Sequence, residues 1–151
     1  LLEDSSVCEE GKRNKFCTLI QEYGNKYSDL NFSFEAELGI QELSEIISLC
    51  DNFYVTYDTG NITSFGLNHK EYISHFSNKI NNVHLKDRTF DANTVAPLTG
   101  DTDFETIFYT LADIDYNGSY ILQTARGEVG HEKKTILNHK KIFQELYDRY
   151  F

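Results

Sequence analysis

Four segments of this chain alternate apolar and polar residues with the two-residue period of a β-strand, and the stretches between them carry the longer period of a helix. In the first, Leu30, Phe32, Phe34, Ala36 and Leu38 alternate with Asn31, Ser33, Glu35 and Glu37. In the second, Phe53, Val55 and Tyr57 alternate with Tyr54, Thr56 and Asp58, and in the third Val83 and Leu85 alternate with Asn82, His84 and Lys86. The fourth lies within YNGSYILQTAR, after a turn at Asn117 and Gly118. Strand, helix, strand, helix with crossovers of this length predicts parallel strands joined by right-handed connections. A parallel sheet covered by helices on both faces reads as continuous apolar runs. Here one face of each strand is polar, and a barrel interior whose mouth forms a site explains that pattern better. About four strands cannot close a barrel, so the expected fold class is α/β, with parallel strands and helices forming part of an eight-stranded barrel.

The helical stretches can be placed by their apolar stripes. Phe16, Ile20 and Tyr23 predict a helix over about 7–24, with Gly24 and Asn25 as its stop. Ile40, Leu43, Ile46, Ile47 and Cys50 form a second stripe, and Tyr72, Ile73, Phe76 and Ile80 a third. After Asp87 a polar loop holds the only proline, Pro97, and a GDTDF segment in which Asp103 suits the N-cap of a helix carrying Phe104, Ile107, Phe108, Leu111 and Ile114. A last helix over about 132–150 is expected to bury Ile136, Ile142, Phe143, Leu146 and Tyr147. The opening LLEDSSV has no initiator Met and reads as the end of a strand, as if something preceded it.

Composition narrows the partners. A net charge of -10 removes long-range attraction to a phosphate backbone, so no nucleic-acid partner is expected, while bound cations are favoured. No apolar run approaches the roughly 20 residues needed to span a bilayer, and no signal peptide is evident, so a cytoplasmic protein without a membrane partner is expected. Cys8, Cys17 and Cys50 are odd in number and widely spaced, which predicts reduced thiols rather than a disulfide frame or a zinc site.

Glu35, Asp58, His84 and Gln123 fall near the C-terminal ends of the four strands, on the faces opposite the aliphatic ones. Singly, an Asp before Thr-Gly is common turn chemistry and a lone strand His is commonly a hydrogen-bonded core residue. Together, at the same end of neighbouring strands, they would converge at a barrel mouth. Two carboxylates and an imidazole form a hard, oxygen-rich donor set suited to Mn²⁺ or Mg²⁺, with Zn²⁺ or Co²⁺ tolerated.

YDTGN, VHLKDR, GDTDFETIFYTL and YNGSYILQTAR, in that order and spacing, resemble the C-terminal half of the xylose-isomerase-like TIM-barrel superfamily of sugar and sugar-phosphate isomerases and epimerases. The resemblance covers nearly the whole chain, from LLEDSSV as the end of barrel strand four to helix eight, and implies one partial-barrel domain over residues 1–151. It implies a metal held by Glu35, Asp58, His84 and Gln123, with Glu37 able to replace Glu35, and substrate contacts from Asn61, Lys86 and Asp87. Arg126, whose guanidinium can fork onto a phosphate or carboxylate, is a further expected substrate contact. The family commonly uses two metal-bound glutamates to move a proton, and here Gln123 stands where the second would be. A Gln amide can ligate but cannot take a proton, which leaves Glu35 as the catalytic base, with Glu128 a remoter replacement acid.

The expectation is therefore a metal-dependent isomerase or epimerase of a sugar or sugar phosphate, working through an enediolate, with this fragment alone inactive. The alternative is a non-catalytic or truncated half-barrel that binds a sugar, a metal or a partner subunit. A homo-oligomer or a missing N-terminal half-barrel would complete the interior. A dehydratase or aldolase of the same fold is the next reading, and metal-dependent DNA repair is disfavoured by the negative charge.

Overall fold

The computed structural model describes residues 2–3 and 10–151. A first strand, β1 (Leu2–Glu3), precedes α1 (Glu10–Lys26), β2 (Phe32–Glu37), α2 (Ile40–Ile47) and β3 (Phe53–Asp58). Two short helices, α3 (Thr59–Ser64) and α4 (His69–His75), lead into β4 (Ile80–Leu85). A small antiparallel hairpin of β5 (Asp87–Arg88) and β6 (Thr94–Val95) comes next, then α5 (Phe104–Asp113), β7 (Ser119–Leu122) and α6 (Glu132–Tyr150). The main sheet has the order β1-β2-β3-β4-β7, and every pair in it is parallel. Strands joined by a helical crossover lie side by side in this sheet, the usual arrangement for short connections.

One apolar cluster joins the outward strand residues Phe53, Val55, Tyr57, Val83 and Leu85 to Leu43, Ile46, Ile47, Ile73, Ile107 and Leu111 of the helices. Each fully buried side chain of this size contributes about 1.5–3 kcal/mol, so the cluster carries most of the fold's stability. The opposite face of the sheet is polar. Near its floor Ser33 Oγ lies 2.7 Å from Thr56 Oγ1 and donates to Asn81 Oδ1 at 2.7 Å. The Asn82 amide donates to Thr56 Oγ1 at 3.0 Å and to Ser33 Oγ at 3.2 Å. Two adjacent Asn side chains reach one face because the β3–β4 register slips by one residue, Val55 pairing with Ile80 but Thr56 with Asn82.

Several sequence expectations change here. The first helix continues through Gly24 to Lys26, and its start near residue 7, like Cys8, lies outside the described residues. Gly24 is a contact point rather than a stop: a Cβ there would stand 2.6 Å from the Phe53 ring and 2.7 Å from Cys50 Sγ. Cys17 and Cys50 are free thiols. The third helix ends at His75, and Ile80 opens β4 instead of extending that stripe. The polar loop after Asp87 contains the β5–β6 hairpin. In α6, Phe143 and Leu146 are buried, but Ile136 is 55% and Tyr147 37% exposed, so the buried stripe is narrower than its apolar composition suggests. Asp103 caps α5 as expected, accepting from Thr106 N at 3.0 Å. No described helix is long and apolar enough to cross a membrane.

Candidate metal centre and sugar site

β3 ends at Asp58 because that residue is also the N-cap of α3: its Oδ1 accepts from Asn61 N at 2.9 Å. A cap of this kind contributes about 1 kcal/mol and fixes the carboxylate, leaving Oδ2 to face the polar side of the sheet. β2 delivers Glu35 and β4 delivers His84 opposite Asp58 in the ladder, with Asp58 paired to His84. Ligand-capable atoms of Glu35, Asp58 and His84 all lie within 4.8 Å of one another. His84 Nδ1 is 3.4 Å from Glu35 Oε2 and 3.8 Å from Asp58 Oδ2.

The surroundings hold this trio in place. Asn61 donates through Nδ2 to Glu35 Oε1 at 3.1 Å and accepts from Lys86 Nζ at 3.4 Å. Lys86 Nζ stands 2.7 Å from Asp58 Oδ2 in a buried ion pair. Burial alone raises the Asp58 pKa, but contacts from His84, Lys86 and the Asn61 amide outweigh it and hold the carboxyl below its ordinary value. Asp58 is therefore an anion at neutral pH. Thr59 locks the end of β4 by donating to the Lys86 carbonyl at 2.6 Å and accepting from the Lys86 amide at 2.9 Å.

Two buried polar atoms in this cluster, Asp58 Oδ2 and His84 Nδ1, make no hydrogen bond. Lys86 already offsets the charge on Asp58 Oδ2, whereas His84 Nδ1 has only the two carboxylates at 3.4 and 3.8 Å, and a carboxylate oxygen with an imidazole nitrogen is a donor pair for a divalent cation. Glu35, Asp58 and His84 thus fit a metal ion on the chemistry of their donors and on their spacing.

The other expected site residues divide. Asn61 and Lys86 lie in the cluster. Asp87, expected to touch substrate, is fully buried and spends its carboxylate on the backbone N–H groups of Thr99, Gly100 and Thr102, at 3.0, 2.9 and 3.3 Å. It builds the loop that follows β6. Gln123 continues β7 by donating its amide N–H to the Leu85 carbonyl at 3.1 Å, but its side chain is exposed, as are Arg126 and Glu128. Glu37, on the same face of β2 as Glu35, meets Arg88 instead, at 3.6 Å.

Several residues escaped the sequence reading. Behind the cluster Tyr57 Oη lies 2.6 Å from His69 Nδ1, and Thr63 Oγ1 lies 3.1 Å from His69 Nε2 and 3.0 Å from Thr102 Oγ1. Burial pushes the His69 pKa down to about 4, against a smaller upward pull from Asp103. His139 of α6 is buried with Nδ1 2.8 Å from Thr124 Oγ1, tying the end of β7 to the last helix, and burial lowers its pKa. Both histidines lie on helices with no local motif, and only tertiary packing reveals them.

A sequence profile described as "Xylose isomerase-like TIM barrel" matches residues 22–146. No curated protein matches the chain at a significant level. Among solved structures, a xylose isomerase domain protein from Planctomyces limnophilus superposes with a TM-score of 0.77 at 18% identity, covering 95% of this chain and 56% of that one. An L-ribulose 3-epimerase superposes with a TM-score of 0.73 at 16% identity, over 93% of this chain and 56% of that one. The probable 3-DHS dehydratase AsbF of Bacillus anthracis, involved in petrobactin synthesis, gives 0.71 at 11% identity, over 94% and 60%. At these identities the likeness is one of fold, and the chain spans just over half the length of the structures it matches. The parallel strands and their helices are a partial TIM barrel, and the profile covers most of the sequence. The chain belongs to the xylose isomerase-like TIM-barrel family.

Proposed function

We propose that residues 1–151 form one domain carrying the metal and substrate groups of a sugar or sugar-phosphate isomerase or epimerase. The observation that carries this reading is the meeting of Glu35, Asp58 and His84 within 4.8 Å, with Asp58 Oδ2 and His84 Nδ1 buried and without hydrogen bonds. The epimerases among the similar structures support it.

Glu35, Asp58 and His84 would hold a divalent ion, Mn²⁺ or Mg²⁺ by donor type, with Gln123 as the fourth ligand once its side chain turns inward. Such an ion supplies polarisation of the carbonyl and hydroxyl oxygens of a sugar. Glu35, steadied by the Asn61 amide, removes the proton alpha to the carbonyl and carries it to the neighbouring carbon in an isomerisation, while inversion at a single carbon needs a second proton donor on the opposite face. Lys86, already beside the cluster, offsets the negative charge that grows on the substrate oxygen. Asn61 and Lys86 orient the substrate hydroxyls, and Arg126 joins them only if its loop folds over the mouth.

Titration of the chain with Mn²⁺ by calorimetry, together with exchange of the alpha hydrogen of candidate ketoses for solvent deuterium measured with the barrel completed, tests the proposal. Binding that Asp58→Asn abolishes, with exchange that Glu35→Gln abolishes, is expected. Failure to bind Mn²⁺ would sink it. One observation favours a second reading, a non-catalytic partial barrel: the position of a second acid is filled by Gln123. Mn²⁺ binding with no exchange from any ketose would favour that reading.

A further inference from the structure

His84, Lys86 and Arg88 succeed one another at alternate positions, as Glu35 and Glu37 do on β2. The lower members of these two ladders meet in the metal cluster. The upper members also meet each other: Arg88 Nη1 lies 3.6 Å from Glu37 Oε1 and donates to Ser64 Oγ at 3.2 Å. The Arg88 backbone is pinned on both sides, its N–H donating to Thr102 Oγ1 at 3.2 Å and its carbonyl accepting from Asp101 N at 2.9 Å. Its stem runs beside that of Lys86 over Gly60, where an added Cβ would stand 2.8 Å from Lys86 Cδ and 3.0 Å from Arg88 Cγ. The guanidinium is therefore held next to the cluster, and its buried Nε has no hydrogen-bond partner.

We propose that Glu37 and Arg88 form a second tier of the site that holds the far end of the substrate and selects an uncharged, hydroxyl-bearing end over a phosphate or carboxylate. This rests on the reading of the lower tier as a sugar site. Both cations beside the cluster already face a carboxylate, Lys86 that of Asp58 at 2.7 Å and Arg88 that of Glu37. A phosphate that reaches Arg88 must sit against Glu37, and like charges so placed are a standard means of exclusion. A hydroxyl meets no such conflict, because it donates to the Glu37 carboxylate while accepting from the guanidinium.

Calorimetry on the full chain with Mn²⁺ present, using D-fructose and D-fructose 6-phosphate as probes, tests the selection. The wild type is expected to bind the free sugar at least about tenfold tighter, and Glu37→Gln to shift that ratio toward the phosphate by about tenfold. Tighter binding of the 6-phosphate by the wild type, or an unchanged ratio in Glu37→Gln, overturns the proposal. A second arm needs neither sugar nor metal: inorganic phosphate is expected to raise the Tm of Glu37→Gln but not that of the wild type. Equal shifts in the two proteins overturn the proposal as well. Because that arm is independent of Mn²⁺, a chain that fails to bind the metal refutes the lower tier while the phosphate result still decides the upper one.

Discussion

The two sides of the barrel mouth are built differently. On the β2–β4 side most polar groups are tied to neighbouring elements: Asp58 caps α3, Asn61 bridges Glu35 and Lys86, and Thr59 clamps the end of β4. On the β7 side the strand has a neighbour on one edge only, and beyond Leu122 the segment meets other strands and helices through Gln123 N to Leu85 O and Thr124 to His139, its remaining bonds at Glu128, Gly130 and His131 being local. Gln123, Arg126 and Glu128 are exposed there. Preorganisation follows enclosure by neighbouring elements, and only the first side has them. The candidate metal cluster is assembled on three strands, and Gln123 of the fourth is placed by its backbone alone.

The sharpest test of that contrast is to remove one cation from each side. Lys86→Met leaves Asp58 buried without its charge partner and should destabilise the chain by about 3–5 kcal/mol in urea denaturation. Arg126→Met, on an exposed loop, should stay within about 0.5 kcal/mol. Comparable losses would break the comparison.

A smaller effect separates the two buried histidines. The His69 pKa of about 4 lies below the ordinary value of roughly 6.5, so between these values the unfolded chain binds a proton that the native chain refuses. The full contribution of neutral His69 is present above that window and is lost as pH falls through it, by about 3 kcal/mol in all. The depressed carboxyl of Asp58 gives way only at lower pH still. Stability measured from pH 7 to 4 should therefore decline, and His69→Gln should flatten the decline far more than His139→Gln. Equal slopes in the two variants would argue that both sides are equally enclosed.

The smallest expected change repairs the weaker side. Gln123→Glu adds a third carboxylate to the donor set and should tighten Mn²⁺ binding by about tenfold, or about 1.4 kcal/mol, in calorimetry. No gain would mean that the end of β7 does not reach the ion.

The readable parts of the sequence were those governed by local periodicity. Alternation in β2, β3 and β4 placed Glu35, Asp58 and His84 on one face, and the one-residue slip at Asn81 did not spoil this because it lies before His84. The cap at Asp103 was equally local. The bonds of the Asp87 carboxylate to the backbone of residues 99–102 were not legible, because no spacing rule connects those residues to it. Gly24 read as a stop because glycine usually ends helices, whereas here it admits the Phe53 ring. Ile136 and Tyr147 belong to an apolar stripe, but a stripe does not say how much of itself finds a neighbour.

The amide-and-hydroxyl floor of Ser33, Thr56, Asn81 and Asn82 has a practical consequence. Each of its members exchanges a protein partner for water at little net cost, unlike a layer of valines. A barrel lined this way can be opened along its sheet edges without wetting a greasy interior. That makes the chain a starting piece for a split barrel, in which a folding signal reports the reunion of two separately expressed parts.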